Sequence, residues 1–210
     1  GMTECGGVTT CPFDAPEEKL LTTDGLPCDS MELKVVGVDG RILQPGEDGE
    51  LMARGPMVTL GYYDAPQLTK ESYLSDGFFR TGDLARMDDD GYVKITGRIK
   101  DLIIRGGVNT APSEIESVLF AHPNVVNAAV VGMPDPRLGE RICAFVILSE
   151  GDCLSLSEVQ RWMAEAGMAK QKWPERVEVV DELPMTPSRK VQKFRLRQSI
   201  ADTLSTEMGN

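Results

Sequence analysis

FRTGDLARMDDDGYVKITGRIKDLIIRGGVNTAPSEIE, residues 79–116, decides the reading of this 210-residue chain. Its first half predicts a hairpin. GFFRTGDLARMD and GYVKITGRI pair across Asp89-Asp90-Gly91, where the acidic run reads as turn chemistry rather than as a metal site. After Arg98 the pattern changes. DLIIRGGVNTA predicts a second hairpin bent at Gly106-Gly107, where the backbone can take φ > 0 or lie close to a ligand. Ser113 with Glu116 three residues on has the spacing of a capping box opening a helix. Asp83 follows a glycine in a tight turn, Arg98 follows another, and Lys190 sits in a Pro/Thr/Ser-rich loop within LPMTPSRKVQK at 183–193. An acid for vicinal hydroxyls, a planar fork of donors and an ammonium are the groups needed to hold a ribose, steady a nucleotide and neutralise a phosphate or carboxylate.

Outward from that segment, residues 1–30 are loop-like, rich in Gly, Thr, Pro and Asp. MELKVVGV (31–38), RIL after the Asp39-Gly40 turn, GELMARG (49–55) and VTLGYY (58–63) read as short strands, and Pro66–Tyr73 as a short helix with proline in its first turn. The whole of 31–99 therefore predicts small antiparallel β structure. VVNAAVVGM and ERICAFVIL are apolar runs suited to buried strands, and RVEVVDEL (176–183) reads as a last strand. Ser155 with Glu158 caps another helix, whose Val159, Trp162, Met163 and Ala166 form one core-facing stripe. VQKFRLRQSIADTL predicts the final helix, with Lys193 on its surface. The fold class expected is α+β: a small antiparallel β-rich piece, 1–99, then a compact α+β domain, 100–210, with the boundary at 99–101.

Composition narrows the function. With 22 Lys+Arg against 33 Asp+Glu, the net charge of −11 argues against nucleic acid and anionic membrane surfaces as partners. From Arg189 to Arg197, however, five basic residues occur with no acidic one, either a solvated helix face or an anion-facing segment. Five cysteines without a CxxC pair and a single histidine speak against a zinc site or disulfide framework and for reduced thiols in the cytoplasm. No apolar run approaches the roughly 20 residues of a membrane span. His122 reads as a helix-end residue, and Tyr62, Tyr63, Phe78 and Phe79 as core aromatics.

RTGDL, GRIKDLIIRGG-x-N-x-x-PSEIE and LPMTPSRK, in this order and spacing, resemble the adenylate-forming family, which includes acyl-CoA synthetases, luciferases and the adenylation domains of peptide synthetases. GMTE at the start resembles another of its motifs. The resemblance covers essentially the whole chain and implies the tail of a large N-terminal domain followed by a small mobile C-terminal domain. It implies that Asp83 holds the ribose, that Arg98 contacts ribose or phosphate oxygens, and that Thr3 bonds the α-phosphate region of ATP. Glu4 holds Mg²⁺ on this reading, as a hard cation wants carboxylate oxygen. Lys190 becomes the catalytic group, an ammonium that offsets repulsion as a carboxylate meets the α-phosphate. Where many relatives read PSGK, this chain has Arg189, which restricts the loop backbone.

Lys100 resembles the family's hinge, about which the small domain turns to present a second face. That face carries Gly106-Gly107, either a plain hairpin turn or an opening for the pantetheine arm of coenzyme A. The expected reaction makes an acyl-adenylate and pyrophosphate from a carboxylic acid and ATP, then a CoA thioester and AMP. Expected partners are those substrates and the rest of the N-terminal domain, with a homodimer allowed. The isolated chain is expected to be inactive, because most of the acyl pocket and the Gly/Ser/Thr/Lys-rich phosphate loop are not in it. The alternatives are an adenylation domain loading a carrier protein, a luciferase-like oxidase, or a non-catalytic truncated paralogue.

Overall fold

A computed structural model of the chain describes residues 1–208. The chain divides into two compact units, the first Gly1–Lys100 and the second beginning at Asp101. In the first, β1 (Thr9–Thr10) and β2 (Leu26–Pro27) pair on either side of α1 (Glu17–Thr22). Then β3 (Glu32–Val36), β4 (Asp48–Arg54), β5 (Phe79–Met87) and β6 (Val93–Arg98) form a four-stranded antiparallel sheet in sequence order, with α2 (Pro66–Ser72) inserted before β5. Period-2 alternation sends Val35, Leu51, Ala85 and Val93 into one buried cluster and Val36, Met52 and Phe78 into another. The acidic run is the β5–β6 turn: Asp88 Oδ1 accepts the N–H groups of Asp90 and Tyr92, and Gly91 takes φ +84°.

Residues 58–63, expected as a strand, form none. Their N–H groups are taken by turns and side chains, Val58 to the Gly55 carbonyl, Thr59 to the Glu4 carbonyl and Tyr62 to the Thr69 hydroxyl. Gly61 at φ +149° breaks the extended path.

The second unit holds β7 (Ile103–Arg105), β8 (Val108–Thr110), α3 (Pro112–Phe120), β9 (Val125–Asp135), β10 (Gly139–Leu148), α4 (Leu156–Glu165), β11 (Arg176–Val179) and α5 (Lys193–Met208). β10 is the hub of a five-stranded sheet, antiparallel to β9 and β7 and parallel to β11. Both sheet faces are covered, which explains why β9 and β10 read as continuous apolar runs rather than alternating ones. Ala128, Val130, Ile142, Ala144 and Val146 pack with Ile115 and Leu119 of α3 and Val159 and Met163 of α4. Ala129, Val131, Met133, Cys143 and Phe145 pack with Leu196 and Ile200 of α5.

Two helix details depart from expectation. The Ser155–Glu158 capping box forms, but α3 starts at Pro112 with Ala111 as N-cap and no side-chain cap; Glu116 is drawn away to other partners. On α4 the stripe narrows, because Val159 and Met163 are buried, Trp162 is half-buried and Ala166, at the C-cap, is exposed. No helix among the described residues is long and apolar enough to cross a membrane.

Candidate functional site

Asp83 and Arg98, fifteen positions apart, stand opposite one another in the β5–β6 ladder, with Arg98 Nε 2.7 Å from Asp83 Oδ1. Asp83 lies within β5, not in the tight turn expected, because the strand runs on through Gly82 and pairs with β6 from Asp83 onward. The preceding residues hold it in place. Gly82 takes φ +70°, a conformation L side chains rarely adopt, and the pairing register shifts immediately after Leu84. The buried Thr81 hydroxyl donates to the Leu51 carbonyl at 2.7 Å and accepts the Asp83 N–H at 3.1 Å. A buried hydroxyl with both roles filled is a rigid mount, and it orients a carboxylate whose side chain is only 18% exposed. Sequence reading missed Thr81, whose role shows only once β4 lies beside β5.

Thr3 and Glu4 occupy the tip of a tight reversal, in which the Met2 N–H donates to the Gly6 carbonyl and the Cys5 N–H to the Met2 carbonyl. Thr3 is exposed and Glu4 half-buried. The Glu4 carboxylate accepts the Tyr62 hydroxyl at 3.2 Å, and its carbonyl accepts the Thr59 N–H at 2.7 Å. The Tyr73 hydroxyl donates to the Thr59 carbonyl, steadying the same segment. Tyr62 is therefore a partner of Glu4 rather than a plain core aromatic. Burial, then the bond to Glu4, pushes its hydroxyl pKa up. The Cys5 thiol is pushed up to about 11, by burial first, then by Glu4, with a smaller push from Asp83.

In the second unit, β7 and β8 close through Gly106 (φ +56°) and Gly107 (φ +84°). Two successive positive φ values are the requirement of a two-residue type I′ turn. A Cβ on Gly106 would meet Leu138 Cδ2 at 3.3 Å, whereas one on Gly107 would meet nothing within 4 Å. Gly107 is therefore there for its backbone, and the space beside it is open. At the foot of the hairpin Arg105 makes a two-bond contact with Glu175, at 2.9 and 3.0 Å. That contact holds the Glu175 carboxyl below the usual carboxylate range.

Lys190 is exposed on a loop that closes on itself. The Thr186 N–H donates to the Lys190 carbonyl at 2.8 Å, the Lys190 N–H to the Thr186 hydroxyl at 3.0 Å, and the Arg189 N–H to the Thr186 carbonyl at 2.9 Å. Met185 and Val191 bridge its base. Arg189 takes φ +59°, the left-handed conformation that glycine adopts without cost and a side chain adopts only with strain. Lys193 differs from expectation: its ammonium is 2.7 Å from Glu116 Oε1, and both side chains are largely buried. It is a structural cation, which leaves Lys190 as the exposed lysine of the motif. His122 follows α3 as expected, its Nδ1 accepting the Asn124 N–H and its ring standing edge-on to Trp162.

Lys100 lies exposed in a one-turn 3₁₀ segment, Ile99–Asp101, which buries no residue. Among the described residues no group of three or more His, Cys, Asp or Glu could hold a metal by itself. Glu4 offers one half-buried carboxylate, which fits an ion such as Mg²⁺ that uses one or two carboxylates and takes its remaining ligands from phosphates and water.

The AMP-binding enzyme family model matches residues 1–63, and that of the AMP-binding enzyme C-terminal domain matches 114–190, together about two thirds of the chain. A medium-chain fatty-acid–CoA ligase of Escherichia coli is 43% identical over 99% of this chain and 37% of its own length. A 2,3-dihydroxybenzoate-AMP ligase of Bacillus subtilis is 42% identical over 97% of this chain and 38% of its own. The crystal structure of ATP-bound MatB from Rhodopseudomonas palustris superposes with a TM-score of 0.89 at 38% identity, over 97% of this chain and 40% of that one. The chain thus spans less than two fifths of the length of these two ligases. Matched by both family models over about two thirds of its length, and more than 40% identical to both ligases over nearly all of it, the chain belongs to the adenylate-forming, AMP-binding enzymes.

Proposed function

We propose that this chain is the C-terminal portion of an ATP-dependent, AMP-forming acyl-CoA synthetase. Residues 1–99 would be the end of its large domain and 100–210 the mobile small domain, turning at Lys100. The observation that carries the proposal is the Asp83–Arg98 pair, held across the β5–β6 ladder. A carboxylate has about four acceptor positions, so engaging one oxygen with Arg98 leaves capacity for two vicinal ribose hydroxyls. The Arg98 fork retains donors for ribose or phosphate oxygens. The ATP-bound relative supports placing ATP here.

In the first half-reaction a substrate carboxylate oxygen bonds to the α-phosphorus of ATP as the bond to the pyrophosphate oxygen breaks. Lys190 neutralises the two approaching anions, and Thr3 donates to the α-phosphate region. Glu4 would hold Mg²⁺, which lowers the charge on the phosphates. In the second, coenzyme A attacks the acyl carbon as a thiolate and AMP leaves with the bonding electrons. The Gly106-Gly107 hairpin would line the path of the pantetheine arm, supported by the open space over Gly107. Five free thiols accord with work in the reducing cytoplasm.

A second reading, activation of an acid for loading onto a carrier protein, draws support from the 2,3-dihydroxybenzoate-AMP ligase. The two separate cleanly in the longer protein. With ATP and a panel of carboxylic acids, pyrophosphate release followed by CoA-dependent AMP release supports the synthetase. Adenylation followed by loading of a carrier thiol, with no response to CoA, overturns it in favour of the second reading. The 210-residue chain alone is expected to release no pyrophosphate.

A further inference from the structure

The basic run 189–197 is neither a solvated face nor wholly anion-facing. Arg189, Lys190 and Arg195 are exposed, but Lys193 and Arg197 have acidic partners. Four positions apart, those two lie on one face of α5. Lys193 meets Glu116, whose carboxylate also accepts the Val130 N–H at 2.8 Å. One turn on, Arg197 donates to Asp101 Oδ1 at 2.9 Å, with Asp101 19% and Arg197 31% exposed. The helix and the lysine loop are one piece, since the Gln192 N–H donates to the Pro184 carbonyl at 2.7 Å and the Arg195 N–H to the Gln192 carbonyl. Leu196 and Ile200 fasten that piece to β9 and β10.

Asp101 is the residue immediately after the pivot proposed above, and the ion pair joins it to a side chain 96 positions away. The turn that contains it buries no residue, so apolar packing does not fix its path. We propose that Asp101–Arg197 is a positioning latch. It ties the backbone just past the pivot to the helix bearing the lysine loop, confining the rotation to Ile99 and Lys100 and delivering all of it to Lys190. Without the latch, Asp101 and Leu102 could twist ahead of β7 and absorb part of the motion. The functional meaning rests on the hinge and lysine assignments of the proposed function; the physical claim that Asp101 is clamped does not.

Hydrogen exchange followed by mass spectrometry tests the clamp on this chain directly. In Arg197→Met, amides at 101–102 should exchange roughly five- to tenfold faster, as expected for local loosening on loss of a half-buried ion pair. Peptides from β9 and β10 should not change. Arg197→Lys should restore part of the protection, and the exchanged pair Asp101→Arg with Arg197→Asp most of it. Unchanged exchange at 101–102 in Arg197→Met, or acceleration spread evenly over the second unit, overturns the latch. In the longer protein, Arg197→Met should lower the turnover rate of adenylation several-fold at unchanged KM for ATP. If Lys190→Ala leaves adenylation intact the functional reading fails, yet the exchange result still decides the clamp.

Discussion

The irregular stretch of β5 that presents Asp83 and the loop that presents Lys190 both need a left-handed residue, and they are held by opposite means. Asp83 is mounted through other strands: Thr81 is tied to Leu51 on β4, and Arg98 stands opposite on β6. The Lys190 loop is bonded within residues 184–192, Thr186 to Lys190 and Arg189 and Pro184 to Gln192. Its shape therefore does not depend on what the exposed ammonium meets. The difference accords with the division of labour proposed above, one acid staying with the nucleotide while one cation is carried in and out. A group that must be ready before its ligand arrives gains from external anchoring. A group that must keep its geometry while moving gains from a self-contained loop.

The largest effect expected from breaking this contrast is at Lys190. In the longer protein, Lys190→Ala should slow acyl-adenylate formation by about 10²–10³, the scale seen when one preorganised charge-stabilising group is lost. Thioester formation from supplied acyl-adenylate should change by no more than about threefold. Separate single-turnover assays of the two half-reactions measure both. Equal losses would mean that Lys190 serves a static site, and the contrast with Asp83 would collapse.

Next in size is the mount of Asp83. Thr81→Ala removes a buried hydroxyl that both donates and accepts. The Leu51 carbonyl and the Asp83 N–H lose those partners, a cost of about 1–3 kcal/mol. Denaturant unfolding of the chain should show that loss, and Thr81→Ser, which keeps the oxygen, should recover most of it. If alanine proves neutral, Asp83 is positioned by its ladder pairing and Gly82 alone, and this stretch of β5 is less externally anchored than its bonds indicate.

Much of this was legible because the deciding signals are local. The β5–β6 hairpin, the Gly106-Gly107 bend and the Ser155–Glu158 cap each depend on residues within a few positions of one another. Signals that depend on distant partners misled or were silent. Ser113 and Glu116 have capping-box spacing, but Glu116 has better partners in Lys193 and the Val130 N–H, which no local window contains. Tyr62 reads as a core aromatic until folding brings its hydroxyl to Glu4, 58 positions away. Lys193 reads as a surface residue for the same reason. VTLGYY has strand composition, but Gly61 and the hydroxyl of Thr69 direct its backbone elsewhere.

The smallest expected effect sharpens the account of the Lys190 loop. Arg189 occupies φ +59°, where a Cβ crowds the backbone at a cost of roughly 1–2 kcal/mol that glycine does not carry. Glycine also has a more flexible unfolded chain, which returns about 0.4–1 kcal/mol of that advantage. Arg189→Gly should therefore stabilise the second unit by about 0.5–1 kcal/mol, read as a rise in unfolding midpoint at constant m-value. The loop bonds between Thr186 and Lys190 are backbone and hydroxyl bonds that need no Arg189 side chain, so they should survive the change. A loss of stability would mean that the guanidinium contributes more than the strain costs. Arg189 would then be a second working cation beside Lys190, and the loop would carry two charges rather than one.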